Sequence, residues 1–434
     1  MKTAKKVLLF IMGLMIVSMI ILLSCKNRYT GPGDKGIFEE GSSEETGENG
    51  GGDIGSGLPA GYLTQDEQYE PMNPDSKKVV LFTGDNYRIP ALTITANKMI
   101  LAAVGTGTGQ NHIAIKRSSD MGQTWTEVQA NYEGFNGMYT HPFFINGYDG
   151  SVLMGVATTN ATNNKTIIYK STDDGMSWNK LTDIDTNSVN NGNVEVFNGH
   201  VTYGQGITLR HGNNANKLLF PYFFGTNAKE NGFTATMCST DGGQTFTQLG
   251  APYGKFTSHE TKFIELANGD ILLNVRATTG QTYWMKSTDC GENWNITTSG
   301  GTETSGNNNS GKHADFTRYE FNGKDIKLGG EKYALSVISK RDETGYNVRM
   351  TFNDFGEGVG NFNNKYLYNK DFATNVGGDG YPAITVLPDG TIATLTEETD
   401  GIVFRRFNLS WLSSVDGTEG GEDYVDYELD NITK

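Results

Sequence analysis

The octapeptide "SSDMGQTW" at 118–125 returns as "STDDGMSW" at 171–178, "STDGGQTF" at 239–246 and "STDCGENW" at 287–294. Four copies of Ser-x-Asp-x-Gly-x-x-(Trp/Phe) at intervals of tens of residues impose a repeating architecture. The motif has a structural explanation: Ser and Asp side chains hydrogen-bond the backbone of a tight turn, Gly permits positive φ, and the aromatic packs between neighbouring sheets. Catalytic or calcium-binding carboxylates would have to converge. Carboxylates at equivalent places in a ring of repeats are spread around its circumference, so the boxes are read as turn closures.

Short alternating runs such as "ALTITA", "HIAIKRS", "TIIYKS" and "DILLNVR" lie between Gly, Asn and Asp turns, the pattern of an all-β chain. Several strands per repeat predict a six-bladed β-propeller rather than a sandwich. The count of six comes from aligned opening strands: "YRIPALTI", "THPFFI", "GQGITL", "HETKFIEL", "KHADFTRYEF" and "GYPAITVL". Each opening leads through a second strand to a third that ends at the box. The openings are therefore expected at the end of the barrel opposite the boxes, with Arg88, His141, Gln205, Glu260, the region of His313, and Tyr381 facing one central funnel.

The N-terminal segment reads differently. Lys2, Lys5 and Lys6 precede an apolar run from Val7 to Leu23, and "LLSC" places Cys25 at a lipobox. Residues 1–25 are expected to be a lipoprotein signal peptide, with Cys25 the lipidated residue and the protein held at the bacterial cell envelope, on the cell surface or the periplasmic face. Residues 26–61, rich in Gly, Glu and Ser, are expected to form a disordered tether, and 62–434 the propeller. The chain carries a net charge of −15, more negative still once the leader lysines are removed. Such a surface repels nucleic acid, and any anion site has to be a local pocket of arginine. Of three cysteines, only Cys238 and Cys290 fall in the folded part, too few for a disulfide framework and expected to be free and buried.

Arginines do recur at matched positions. Arg276 stands eleven residues before the box serine Ser287, and Arg341 eleven before Phe352, the first residue of a degenerate box "FNDFG"; Gly280 and Gly345 match as well. By this ruler Arg341 is the twin of Arg276, and Arg349 is the second choice, in mid-strand. With Arg88 they make three guanidinium groups around one funnel, which suits a carboxylate ligand. No metal or cofactor is expected.

"YRIPAL", the four boxes, "HETKFIELANGDILLNVR" and "GYPAITVLPDGTIATLTEE" resemble the bacterial exo-sialidases (neuraminidases) over about residues 79–411. The resemblance implies a retaining exo-glycosidase that hydrolyses terminal sialic acid, or a related 2-keto sugar acid, from glycans. It implies Arg88, Arg276 and Arg341 on the sugar carboxylate, Tyr381 as nucleophile, Glu260 as its partner base, and Glu397 orienting Arg88. The chemistry agrees. A neutral phenol approaches an anomeric centre that bears a carboxylate with less repulsion than an acid would, and it needs a nearby carboxylate to be activated.

The chain departs from the family at two places. The family has a general-acid Asp in the loop after Arg-Ile-Pro, whereas no acidic residue lies between Asp85 and Asp120 here. His141 also stands where the family commonly has the Asp of an Asp-Pro pair. His112 and His141 are the candidates for proton donor or pocket residue. The alternative function is a non-catalytic, sialidase-like glycan-binding protein that lost its acid.

Overall fold

The computed structural model describes residues 58–84, 87–106, 113–128, 139–158, 165–185, 189, 196–226, 232–254, 258–277, 282–298, 313–321, 324–325, 327–328, 331–340, 344–352, 367–373 and 380–414. The expected leader with Cys25, most of the tether, His112 and Arg341 lie outside these residues.

Six antiparallel sheets stand in a ring, the six-bladed β-propeller anticipated from the repeat. The first blade shows the plan. Tyr87–Ile94 is innermost, followed outward by Ile100–Thr106, Ile113–Ser118 and Thr126–Val128. The innermost strands of the second, fourth, fifth and sixth blades are Tyr139–Asn146, Ser258–Glu265, Ala314–Arg318 and Pro382–Val386. The third blade breaks the pattern: Val196–Val201 and Ile207–Thr208 both pair antiparallel with Leu218–Thr226, while Gly204–Gln205 between them pairs in parallel with the second blade. Gln205 therefore sits between two blades, and its Nε2 donates to the Ile384 carbonyl at 2.6 Å.

The four boxes are nearly superimposable in their bonding. Each serine Oγ donates to the box Asp at 2.7–2.8 Å and accepts the glycine N–H at 2.8–2.9 Å. Glycine is required there: Gly122 has φ +85°, and a Cβ would lie 2.2 Å from the Phe404 ring. Trp125 meets Phe404 of the sixth blade edge-on at 5.0 Å, so the box aromatic does wedge neighbouring sheets together. Cys238 and Cys290 are buried and unbridged.

The ring is closed by the start of the chain. Val79–Thr83 pairs antiparallel with Gly401–Phe407 and becomes the outer strand of the sixth blade. Residues 61–75 run to it as a strap along the box end. There Arg406 donates to the Gly61 carbonyl at 2.7 Å, Leu63 N–H to Asp389 at 3.2 Å, and Arg405 Nε to Asp75 at 2.9 Å. Asn408 holds the strap through the carbonyls of Gln68 and Glu70 at 3.1 and 2.6 Å.

Candidate functional site

Backbone bulges aim the inner-strand residues into the funnel. The pairing register slips between Arg88 and Pro90, between Thr140 and Phe143, and between Ser258 and Thr261. Ile89 and His141, each followed by proline, take the left-handed region at φ 61° and 53°. That conformation is strained for a β-branched residue, at a cost of order 1–3 kcal/mol, and persists only where the surroundings hold it. At Ile89 they do. Its N–H donates to Glu397 Oε1, and its side chain packs with Tyr203 and Tyr381 in a small buried cluster. "RIP" and "THP" are thus the same device in consecutive blades.

Tyr381 Oη donates to Glu260 Oε1 at 2.6 Å. The same oxygen lies 3.2 Å from His141 Nε2, and the other, Oε2, takes the Arg276 guanidinium and lies 3.2 Å from His313 Nδ1. Glu260 is 2 % exposed, so this carboxylate is held by protein groups on both oxygens. Arg88 reaches over the Tyr381 ring, 5.5 Å from its centroid, and donates to Glu397 Oε2 at 3.2 Å. Its side chain remains 54 % exposed, so the guanidinium faces the funnel. The sequence-selected residues Arg88, His141, Glu260, Arg276, Tyr381 and Glu397 therefore meet at one end of the barrel, away from the boxes. Arg349 lies mid-strand in Tyr346–Phe352, opposite Ser336, with Nε on Asn347 Oδ1 at 2.7 Å.

Burial sets the protonation states. It pushes the Tyr381 phenol well above 10, assisted by the Glu260 charge and by the bond donated to it. Burial also raises Glu397, against the pull of Arg88 and the Ile89 N–H. The resting site thus holds a neutral phenol bonded to Glu260, with one guanidinium exposed to the funnel. Chemically it can accept a carboxylate ligand at the arginines and move the phenol proton to Glu260.

Below this layer lies a buried ion pair absent from the sequence reading. Lys262 Nζ stands 3.3 Å from Asp315 Oδ1, donates to the Tyr203 carbonyl and covers the Tyr203 ring at 3.5 Å. Asp315 Oδ2 accepts the Ile384 N–H at 3.0 Å. Burial lowers Lys262 and raises Asp315, and each opposes the other's shift. Lys262 is two residues past Glu260 and Asp315 two past His313, so strand alternation puts both pairs on the funnel face. That alternation was the available signal. Tyr203 was missed because the third inner strand is irregular; its ring meets Tyr381 edge-on at 4.7 Å.

The profile of the BNR repeat-like domain family matches residues 89–342, more than half of the chain. The chain belongs to the BNR repeat-like domain family. Within it, the chain is similar to a sialidase of Micromonospora viridifaciens, 29 % identical over 358 residues. That match covers 76 % of this chain and 52 % of the relative, so the chain spans about half the relative's length. Among solved structures, this BNR repeat protein resembles a Hadza microbial sialidase with TM-score 0.60 and 19 % identity, covering 75 % of this chain and 66 % of that one. It also resembles the intramolecular trans-sialidase of Ruminococcus gnavus in complex with oseltamivir carboxylate, with TM-score 0.61 and 14 % identity, covering 79 % and 99 %. At these identities the structural likeness speaks for the propeller fold, and the resemblance to sialidases seen in the sequence stands.

Proposed function

We propose that the protein is a retaining exo-glycosidase of the sialidase type, acting on glycans that end in sialic acid or a related 2-keto sugar acid. One observation carries this reading: the 2.6 Å bond from Tyr381 Oη to Glu260 Oε1, beneath an arginine exposed to the funnel. A binding protein has no need of a phenol paired with a buried carboxylate.

In the proposed reaction Arg88, Arg276 and Arg341 hold the sugar carboxylate, and Glu397 orients Arg88. Tyr381 Oη bonds to the anomeric carbon as the glycosidic C–O bond breaks, and its proton passes to Glu260. The departing oxygen takes a proton from a donor on the opposite face of the sugar ring, for which His112 is the candidate. Water then attacks the anomeric carbon and gives its proton back to the donor that protonated the leaving group, while the Tyr381–sugar bond breaks and Glu260 returns its proton to the phenolate. His141 serves through Glu260, since its Nε2 faces that carboxylate on the phenol's side.

The absence of any acidic residue between Asp85 and Asp120 favours a second reading, a glycan-binding protein without turnover. The test is release of free sialic acid from sialyllactose by the chain from about residue 58 onward. Binding without release, with no change in Tyr381→Phe, would replace the first reading by the second. We also propose the lipid anchor at Cys25 and a cell-envelope location; labelling with a palmitate analogue that is lost in Cys25→Ala tests both.

A further inference from the structure

His313 has no part in the scheme above, yet it touches both members of the central pair. Its ring lies over Tyr381 with centroids 3.6 Å apart and planes 33° apart. Its Nδ1 lies 3.2 Å from Glu260 Oε2. It is 4 % exposed, stands at the head of the inner strand Ala314–Arg318, and gives its carbonyl to the Ser339 N–H at 2.9 Å. The backbone is therefore pinned, and the imidazole is wedged between phenol and carboxylate.

Each contact removes a different freedom. The close, tilted imidazole restricts the plane of the Tyr381 ring, which also meets Tyr203 edge-on at 4.7 Å. The Nδ1 edge of the imidazole crowds Oε2 beside Arg276 and limits rotation of the Glu260 carboxyl, which keeps Oε1 toward the phenol and His141. A carboxyl free to turn would exchange its two oxygens between the phenol and Arg276. Misplacement of reacting groups by about 1 Å costs on the order of 100-fold in rate.

We infer that His313 is a positioning residue that registers the Tyr381 phenol against the Glu260 carboxylate. The inference rests on the proposed glycosidase reading and deepens it. Two substitutions separate the two contacts. His313→Phe keeps a flat ring against Tyr381 and removes Nδ1. His313→Asn keeps a polar atom near the Nδ1 position and removes the ring that lies against Tyr381.

The experiment measures kcat and KM on a fluorogenic sialoside for both variants, with Tyr381→Phe alongside. Both His313 variants should lose about tenfold to a hundredfold in kcat with KM within about twofold, because the arginines are untouched. Wild-type kcat in both variants, beside an inactive Tyr381→Phe, would overturn the positioning role and leave the glycosidase reading intact. An unaffected Tyr381→Phe would overturn the reading itself.

A second readout needs no turnover. Fluorotyrosine placed at position 381 reports its ring environment by 19F resonance. The signal should move in His313→Asn, which loses the neighbouring ring, more than in His313→Phe. An unchanged resonance in both variants would overturn the inference even in a protein that only binds.

Discussion

Tyr381 and Glu260, separated by 121 residues of chain, meet at 2.6 Å because the inner strands Ser258–Glu265 and Pro382–Val386 begin at the same end of the funnel. Neither group would be out of the ordinary alone. A buried phenol is usually packing, and a buried glutamate beside arginine is usually an ion pair. Their contact, with the phenol pushed well above 10, is what the proposed reaction needs: a phenol neutral at rest with a carboxyl group within reach of its proton.

Removing either partner should therefore abolish the chemical step while leaving the ligand held. Glu260→Gln should lower kcat by about 10²- to 10⁴-fold, and Tyr381→Phe by at least as much. Binding of a sialic-acid-like carboxylate ligand to Tyr381→Phe, followed by calorimetry, should remain within about tenfold of wild type. Arg276→Ala should instead weaken binding as well as catalysis, because it strips an ion partner from Glu260.

Glu397 should exchange stability for function. Burial raises its pKa, so its ionised form is disfavoured in the fold and the group destabilises above its folded pKa. Below its unfolded value, about 4.3, both states are protonated and the penalty vanishes. Glu397→Gln should consequently be more stable than wild type at pH 7, with the advantage shrinking as pH falls toward 4, while KM rises as Arg88 loses its orientation. Thermal melts at several pH values check the first part. A melting temperature lower than wild type at pH 7 would contradict it.

The two histidines singled out in sequence should respond differently to the leaving group. His141 faces Glu260, so His141→Ala should slow sialyllactose and a methylumbelliferyl sialoside by similar factors. A proton donor to the departing oxygen behaves otherwise. His112→Ala should lose about 10²-fold or more on sialyllactose and far less on the activated substrate. A selective loss in His141→Ala would move the donor's role to it.

The boxes should govern acid stability. Against the burial that raises it, hydrogen bonds from Thr245 and Ser239 carry the Asp241 carboxyl down to about 2, and Asp120, Asp173 and Asp289 are lowered in the same manner. Groups with depressed folded pKa values stabilise above the unfolded value of about 3.9, and that contribution declines as pH falls toward 2. Asp241→Asn should flatten the acid limb of a urea-unfolding profile between pH 4 and pH 2 relative to wild type. Trp178→Ala, which empties the wedge beside Phe144, should cost about 3–5 kcal/mol at any pH.

Much of this was legible in the sequence, for identifiable reasons. The box is a local motif, so its turn chemistry and its place opposite the funnel could be read residue by residue. Counting strands back from it located Arg88, Glu260, Arg276 and Tyr381 at one end. The same count passed through His313 and, two residues on, Asp315, but gave no reason to choose them: an imidazole packed on a phenol or a buried ion pair is decided by the neighbouring blades. Gln205 appeared as one opening among six, whereas a parallel pairing with the second blade displaces it toward Ile384. The sixth blade's outer strand was invisible for the same reason, since nothing in "VVLFT" announces a partner at the far end of the chain.

That last pairing has a consequence for how the molecule comes into being. Val79 lies against Phe404, so the earliest strand of the ring has no seat until the last one has been made. Five blades can assemble from neighbouring segments as the chain emerges, but the sixth joins segments more than 300 residues apart and must wait until Gly401–Phe407 has been made. Until then Val79–Thr83 and Gly401–Phe407 each present an unpaired edge, open to the wrong partner. Quality control during biogenesis thus bears on this seam more than on the site itself: the first strand to be made is the last to be placed.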